Sequence, residues 1–420
     1  MRRFTANTPE KRADALLSCP IHPVPARRGR VQHKAPIMTD DPPFNPALLP
    51  AGFVDRLPPE AEAEAAGVET LMRVFAAHGY DRVTPPLLEF EETLLSGAGS
   101  AVAEQTFRLM DPDTRRMMAL RPDMTPQIAR IAATRLPDVP RPLRLAYAGP
   151  CILMASNRGE GDRQISQAGV ELIGPDGPQA DAEIVAIAAE CLATLQVQGV
   201  SFDLTMPSLT TALLDAGGFD GHVRGMLMRA LDRKDAAAVA RHGGELAPVL
   251  IRLLHAAGPA QGALAELAAV DLPPAVRVLS ERLAATVAAI EARVPGIRLT
   301  VDPVEFRGWQ YHTGVCVSVY AAGQREELGR GGRYLSNNDE PACGLTLRPD
   351  IILRAAPALP SRRRVFLPWG TPAEVGAALR TGGYATVGAL GPDEDARAEA
   401  VRLSCPLIVV DGRAVAVGDA

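Results

Sequence analysis

Three short runs of this chain carry residue types that could hold a free amino acid. The first is Arg121-Pro122-Asp123-Met124-Thr125-Pro126-Gln127 and the second Gln167-Ala168-Gly169-Val170-Glu171. The third runs from Arg307 to Gly314 and includes Tyr311 and His312. An amino acid needs a carboxylate near its ammonium, a donor for its own carboxylate and partners for its side chain. Those partners must be held in place, because burying an unpaired charge is costly. Asp123 and Thr125 suit an α-ammonium, with Gln167 beside them. Glu171 and His312 suit the two nitrogens of an imidazole, and Arg307 offers a planar fork to a carboxylate. Singly, each has a structural alternative. Asp123 or Thr125 can cap the helix that follows, Glu171 can close a surface ion pair, and His312 can be a satisfied core residue. Their occurrence together in one order makes Asp123, Thr125, Gln167, Glu171, Arg307, Tyr311 and His312 the candidate site.

The surrounding pattern predicts a mixed α+β scaffold. Pro58-Pro59 with Glu60, Glu62 and Glu64 marks a helix start, since acidic side chains favour the positive end of the helix dipole. Val68, Leu71, Met72 and Phe75 follow at helical spacing, and Gly79 stands where a C-terminal cap belongs. A strand over 80–84 comes next, and 106–110 with 117–120 read as a hairpin around Asp111-Pro112-Asp113. Further strands are expected over 143–147, 165–172, 202–206, 297–301, 315–320 and 329–334. Ile184, Ile187, Ala188, Cys191 and Leu195 mark a helix face after the Gly174–Gly177 turn.

Three regions are expected. Residues 1–37 form a basic, Pro-rich extension without helical or strand period, read as a disordered tail or as translated leader before a true start at Met38. Residues 38–356 form the core, with an Ala- and Leu-rich helical insertion at about 208–293. Residues 362–420 form a small α/β unit of strand (365–367), helix (373–381), strand (385–389), helix (393–403) and strand (407–410).

Hydrophobic content of 47% with 22% charged residues is ordinary for a soluble globular protein. No apolar run approaches the roughly 18–20 residues that cross a bilayer. The six cysteines are scattered without a Cys-x-x-Cys, which argues against zinc and disulfides and fits a reducing cytoplasm. The first 37 residues hold eight basic and two acidic side chains, so the remainder carries 36 basic against 47 acidic. An acidic body lowers the expectation of a nucleic-acid surface. There is no P-loop, and Gly97-Ala98-Gly99 lacks the third glycine of a dinucleotide fingerprint. No metal or cofactor is expected.

Residues from about 45 to 350 resemble the class II core of histidyl-tRNA synthetase, an antiparallel sheet flanked by helices. Gly79–Glu89 is similar to motif 1, which in that family builds the dimer interface. Leu120–Thr125 is similar to its Leu-Arg-Pro-Glu-x-Thr run with Asp for Glu, and Gln167–Glu171 to its Gln-x-Gly-x-Glu run. Arg307-Gly308 with Tyr311–Gly314 resembles the first histidine signature, with His312 for a second Tyr. Gly331-Gly332-Arg333-Tyr334 resembles the second, with Leu335 for the expected Asp.

The departures fall on the ATP-binding groups. Where the resemblance places the Arg and Glu of motif 2, this chain has Leu153 and Ala155, and Gly161-Asp162-Arg163 has one arginine fewer than its counterpart. Motif 3 has Pro349 and Ile351 near its Glu and Arg positions. Adenylation needs cations around a triphosphate, and Leu supplies neither the charge nor the fork of Arg. An amino-acid pocket without this machinery resembles the regulatory subunits of ATP phosphoribosyltransferase, a synthetase-like family of histidine biosynthesis. That resemblance implies a non-catalytic chain, a homodimer within a larger hetero-oligomer. It also implies a short-form catalytic subunit as partner, L-histidine as effector, and neither membrane nor nucleic acid. A divergent histidyl-tRNA synthetase and a pseudo-synthetase RNA sensor are the alternatives. Residues 362–420 resemble a shortened anticodon-binding domain.

Overall fold

The computed structural model describes residues 47–154, 162–305, 311–358, 361–392 and 395–418. Its centre is a nine-stranded sheet. In spatial order the strands are Asp81–Arg82, Leu143–Ile152, Gln164–Ile173, Pro341–Leu347, Gly329–Leu335, His312–Ala321, Val200–Thr205, Leu299–Asp302 and Gly258–Pro259. The run from Leu143–Ile152 through Val200–Thr205 is antiparallel throughout, while Asp81–Arg82 joins one edge in parallel.

Strand alternation gives this sheet two unlike faces. Ala168, Val170 and Leu172 point to one side with Ala146, Cys343 and Leu345, into the main hydrophobic core. Helices Glu60–Ala77, Pro178–Thr194 and Pro274–Arg293 cover that side, with Leu71, Phe75, Ile184, Ile187 and Ile290 almost fully buried. The expected apolar spacing of the first two helices therefore marks the buried stripes. Gly79, at φ +77°, ends the first helix in a conformation that glycine adopts without strain. Gln167, Gly169 and Glu171 belong to the opposite face, which is where side chains with chemistry gather.

Arg333 crosses from the sheet to the helical layer. Its guanidinium donates to Asp181 Oδ1 at 2.8 Å and to the carbonyls of Pro175 and Gly177 at 2.9 and 3.1 Å. Strand Gly329–Leu335 is thereby tied to the first turn of helix Pro178–Thr194, and both charged side chains are buried.

The predicted insertion is helical, built from Pro207–Ala216, Gly221–Asp232, Ala236–His242, Ala247–His255, Ala260–Ala269 and Pro274–Arg293. Asp220 and Asp235 cap two of these helices by accepting N–H bonds from Val223 and Ala238 at 2.8 and 2.9 Å. Between its fourth and fifth helices the two-residue strand Gly258–Pro259 adds to the main sheet edge, which its Gly-Pro composition gave no reason to expect.

A smaller antiparallel sheet joins Leu88–Phe90, Met117–Leu120 and Arg108–Met110. The last unit has a four-stranded sheet in the order Ala385–Gly388, Arg364–Leu367, Leu407–Val410, Arg413–Ala416. Its helices are Ala373–Thr381, with the predicted bounds, and Ala396–Arg402, shorter than predicted. Strand Arg413–Ala416 went unpredicted. It returns through Asp411 and Gly412, both at positive φ (50° and 75°), as a two-residue hairpin turn requires. No described helix is long and apolar enough to cross a membrane.

Candidate functional site

A cavity of about 310 Å³ opens on the polar face of the central sheet. Asp123, Thr125, Gln167, Glu171, Tyr311 and His312 all line it. Six of the seven predicted residues, from three distant runs, are thus brought together; Arg307 lies outside the described residues, as does Ala155.

Glu171 forms the floor. It is 1% exposed, and hydroxyl groups surround its carboxyl. Thr125 Oγ1 lies 3.0 Å and Tyr147 Oη 3.3 Å from Oε1, while Tyr334 Oη lies 2.8 Å from Oε2. Burial penalises the ionised form and pushes the Glu171 pKa up to about 8, against the opposing pull of those hydroxyls. The surface ion pair considered for Glu171 is not what the fold builds. The Thr125 hydroxyl donates to Glu171, which leaves its oxygen lone pairs to accept from an ammonium.

Two glycines make room for Glu171 and His312. Gly344 is paired with both Glu171 and Gly332 across neighbouring strands. A Cβ on Gly344 would sit 1.9 Å from Glu171 Oε2, and one on Gly332 would sit 2.9 Å from His312 Cδ2. Glu171 and His312 therefore pack into space that a side chain at either position would take. The rings of Tyr311 and His312 lie 4.1 Å apart, with Tyr334 meeting Tyr311 edge-on at 6.0 Å. Burial lowers the His312 pKa to about 3, so its imidazole is neutral at ordinary pH.

Asp123 sits on the turn before helix Thr125–Thr134 and accepts the Thr125 N–H at 3.3 Å. Its carboxyl is also raised by burial, with hydrogen bonds from the Thr125 backbone and the Gln167 side chain opposing that shift. Gln167 spends its oxygen on the Met124 N–H at 3.1 Å and lies 3.2 Å from Cys151 Sγ. Arg121, from the same run, is a buried clamp. It donates to the carbonyls of Pro150 and Pro85 at 2.8 and 3.0 Å, fixing the turn that carries Asp123. A Cβ on Gly149 would lie 2.5 Å from the Arg121 Nη2 atom, so the clamp needs that glycine.

Tyr334, Gly344 and Gly332 line the cavity and Tyr147 backs Glu171, yet none of them is among the seven site residues read from sequence. The alternation of strand Gly329–Leu335 held a signal, since Arg330, Gly332 and Tyr334 share one face and Arg333 the other. Leu153 and Ile351 also line the cavity. Arg163 is engaged elsewhere. It stacks over Phe107 at 4.7 Å and Phe53 at 5.4 Å and donates to the Leu153 carbonyl at 3.2 Å.

The histidyl-tRNA synthetase family model matches residues 52–352. The ATP phosphoribosyltransferase regulatory subunit of Gluconobacter oxydans (strain 621H) is 58% identical over 368 residues, covering 88% of this chain and 97% of the relative. That of Paramagnetospirillum magneticum (strain ATCC 700264 / AMB-1) is 52% identical, covering 86% and 95%.

The chain belongs to the ATP phosphoribosyltransferase regulatory subunit family.

Among solved structures, an ATP phosphoribosyltransferase regulatory subunit/histidyl-tRNA synthetase from Bacillus halodurans C superimposes with a TM-score of 0.74 at 23% identity, covering 87% of this chain and 97% of that one. A histidyl-tRNA synthetase from Nostoc sp. PCC 7120 gives 0.73 at 19%, covering 86% and 91%. These likenesses establish the class II synthetase fold. Within this family the chain is a regulatory rather than a catalytic subunit of histidine biosynthesis.

An added methyl at Gly344 tests this packing directly. Gly344→Ala is expected to cost about 1–3 kcal/mol of stability, the usual result of overpacking a filled site. Glu171 cannot withdraw without leaving the Tyr334 hydroxyl unpaired. Chemical denaturation measures the loss, and an unchanged midpoint would mean that Glu171 moves aside freely.

Proposed function

We propose that this regulatory subunit binds free L-histidine in the cavity above Glu171 and transmits its occupancy to a short-form catalytic ATP phosphoribosyltransferase subunit. The observation that carries the reading is the cavity lined by Asp123, Glu171, Tyr311 and His312, which sets a buried carboxyl and a neutral imidazole in one space. An imidazole ring there has Glu171 at one nitrogen and His312 at the other, and the ligand's ammonium faces Asp123. Arg307 is assigned to the ligand carboxylate by resemblance. Leu153 and Ile351 in the lining support a pocket that holds an amino acid without activating it.

In this reading the subunit activates its catalytic partner and carries histidine feedback. The two effects require histidine to bind two assembly states with different affinity, since equal affinity would shift nothing. A homodimer is proposed as the assembling unit. The exposed apolar Leu87, Leu109, Met110 and Met117, around the motif 1 strand and its neighbouring hairpin, support a twofold contact there.

Co-expression with a short phosphoribosyltransferase is expected to give a complex whose activity exceeds that of the catalytic chain alone. The regulatory chain alone is expected to bind histidine in calorimetry and to give no ATP–pyrophosphate exchange. Exchange activity, or a catalytic chain indifferent to this subunit, would overturn the proposal.

A further inference from the structure

The row of the sheet that holds Glu171 continues, strand by strand, to a charged contact with the helical insertion. Direct strand partners run from Glu171 through Gly344, Gly332, Cys316 and Thr205 to Asp302. Paired residues share a face, and the neighbours Val170, Leu345, Leu204 and Val301 turn the other way, into the main core. Asp302 therefore stands on the polar face, in line with the cavity. Its strand is the second beyond the one that carries His312, roughly 10 Å away at the usual strand spacing.

Asp302 ends strand Leu299–Asp302, and its carboxylate is engaged on both oxygens. Oδ1 accepts the Val304 N–H at 3.2 Å, which fixes the turn by which the chain leaves the sheet. Oδ2 takes the ammonium of Lys234, from the helical insertion. The carboxylate is the more buried partner, with a side chain 11% exposed against 37% for the lysine. Beyond it, Val304 and Glu305 are buried as well. Tyr311 and His312, which line the cavity, follow Val304 by seven and eight residues. One carboxylate thus joins the insertion to the stretch that begins at Val304 and reaches Tyr311.

Lys234 makes this contact from a costly backbone position. It lies between helices Gly221–Asp232 and Ala236–His242 at φ +57°, the left-handed turn in which helices commonly end on glycine. Its N–H meets the Leu231 carbonyl at 3.1 Å, and the Asp235 N–H meets that of Ala230 at 2.8 Å. The turn itself favours glycine. What a lysine adds there is its side chain, and that side chain is spent on Asp302.

We propose that Lys234 is a positioning residue of the regulatory site: its ammonium holds Asp302, and with it the turn at Val304, in the arrangement the pocket needs to bind its amino acid. The helical insertion is thereby coupled to occupancy of the cavity, and the coupling acts in both directions, since a coupling free energy is reciprocal. This role rests on the histidine reading of the cavity.

The test uses the full-length chain. Lys234→Gly removes the ammonium and supplies the residue that the turn prefers, so the fold is kept. Lys234→Arg returns a cation to Asp302. Calorimetry is expected to show histidine binding weakened at least about fivefold in Lys234→Gly, the lower end of coupling between sites, and restored close to wild type in Lys234→Arg. Amide hydrogen exchange of the unliganded Lys234→Gly chain should be faster in the peptide carrying Val304 and Glu305 and unchanged in helix Glu60–Ala77. A glycine variant that binds histidine like wild type overturns the role, as does an arginine variant that stays weak. Faster exchange throughout the chain would make the pair a contact of the fold alone and would also overturn it. A wild-type chain that binds no histidine removes the amino-acid reading. In that case faster exchange confined to Val304 and Glu305 still supports Lys234 as the residue that positions this turn, and unchanged exchange removes that role too.

Discussion

Glu171→Gln is expected to weaken histidine binding roughly tenfold to a hundredfold, the value of one charge-assisted hydrogen bond. The amide fills the same space but lacks the carboxyl's exchangeable proton. That proton also sets a pH dependence. Glu171 has its pKa raised to about 8, while a free imidazole titrates near 6.5. Between about 6.5 and 8 the empty pocket holds a protonated carboxyl and the ligand arrives with a neutral ring, so the pair shares one proton. Below that window the pair carries two protons and both partners are donors. Above it the pair carries none, and a carboxylate faces a ring with a single N–H. Affinity should therefore peak between the two values and fall on both sides. His312 stays neutral throughout, because its pKa is pushed down to about 3, so it adds no flank. Glu171→Gln should abolish the contribution of this carboxyl to the upper flank. Calorimetry from pH 5.5 to 9 on both proteins decides it, and superimposable profiles would place histidine elsewhere.

Local pattern carried most of the secondary structure and the near side of the pocket. Gln167 and Glu171 are four residues apart on one strand, so alternation alone puts them on one face, with Val170 and Leu172 turned to the core. The rest of the floor comes from strand neighbours distant in sequence. Tyr147, Gly344 and Tyr334 meet Glu171 only because strands Leu143–Ile152, Pro341–Leu347 and Gly329–Leu335 lie side by side in the sheet. Nothing within a dozen residues of Gly344 says that its missing side chain makes room for a carboxyl from the preceding strand in the sheet. Arg121 escaped notice for a related reason, since its partners are the carbonyls of Pro85 and Pro150, distant in sequence. The last strand was a different kind of omission. Asp411-Gly412 between apolar runs is a two-residue hairpin signal, and Arg413–Ala416 follows from it.

Arg333→Met is expected to cost about 3–5 kcal/mol of stability, the usual result of removing one partner of a buried ion pair. Arg333 and Asp181 have side chains only 3% and 5% exposed. Methionine fills much of the arginine stem but leaves the Asp181 charge buried without its cation and the Pro175 and Gly177 carbonyls without their donor. The loss should depend on pH in a defined direction. Burial already raises the Asp181 pKa, and Arg333 is the main opposing influence. Without Arg333 the folded-state pKa rises further above its unfolded value, so the folded form holds a proton that the unfolded form releases. Stability then falls as pH rises through that window and recovers on acidification. The variant's deficit should be largest at neutral and alkaline pH and smaller near pH 4–5. Adding Asp181→Leu should restore most of the stability, because an apolar pair of similar volume leaves no charge to desolvate. Urea denaturation of the two variants at pH 5 and pH 8 measures both effects. A single variant with no pH-dependent deficit, or a double variant no better than the single, would show that this contact does not hold the sheet to its helical layer.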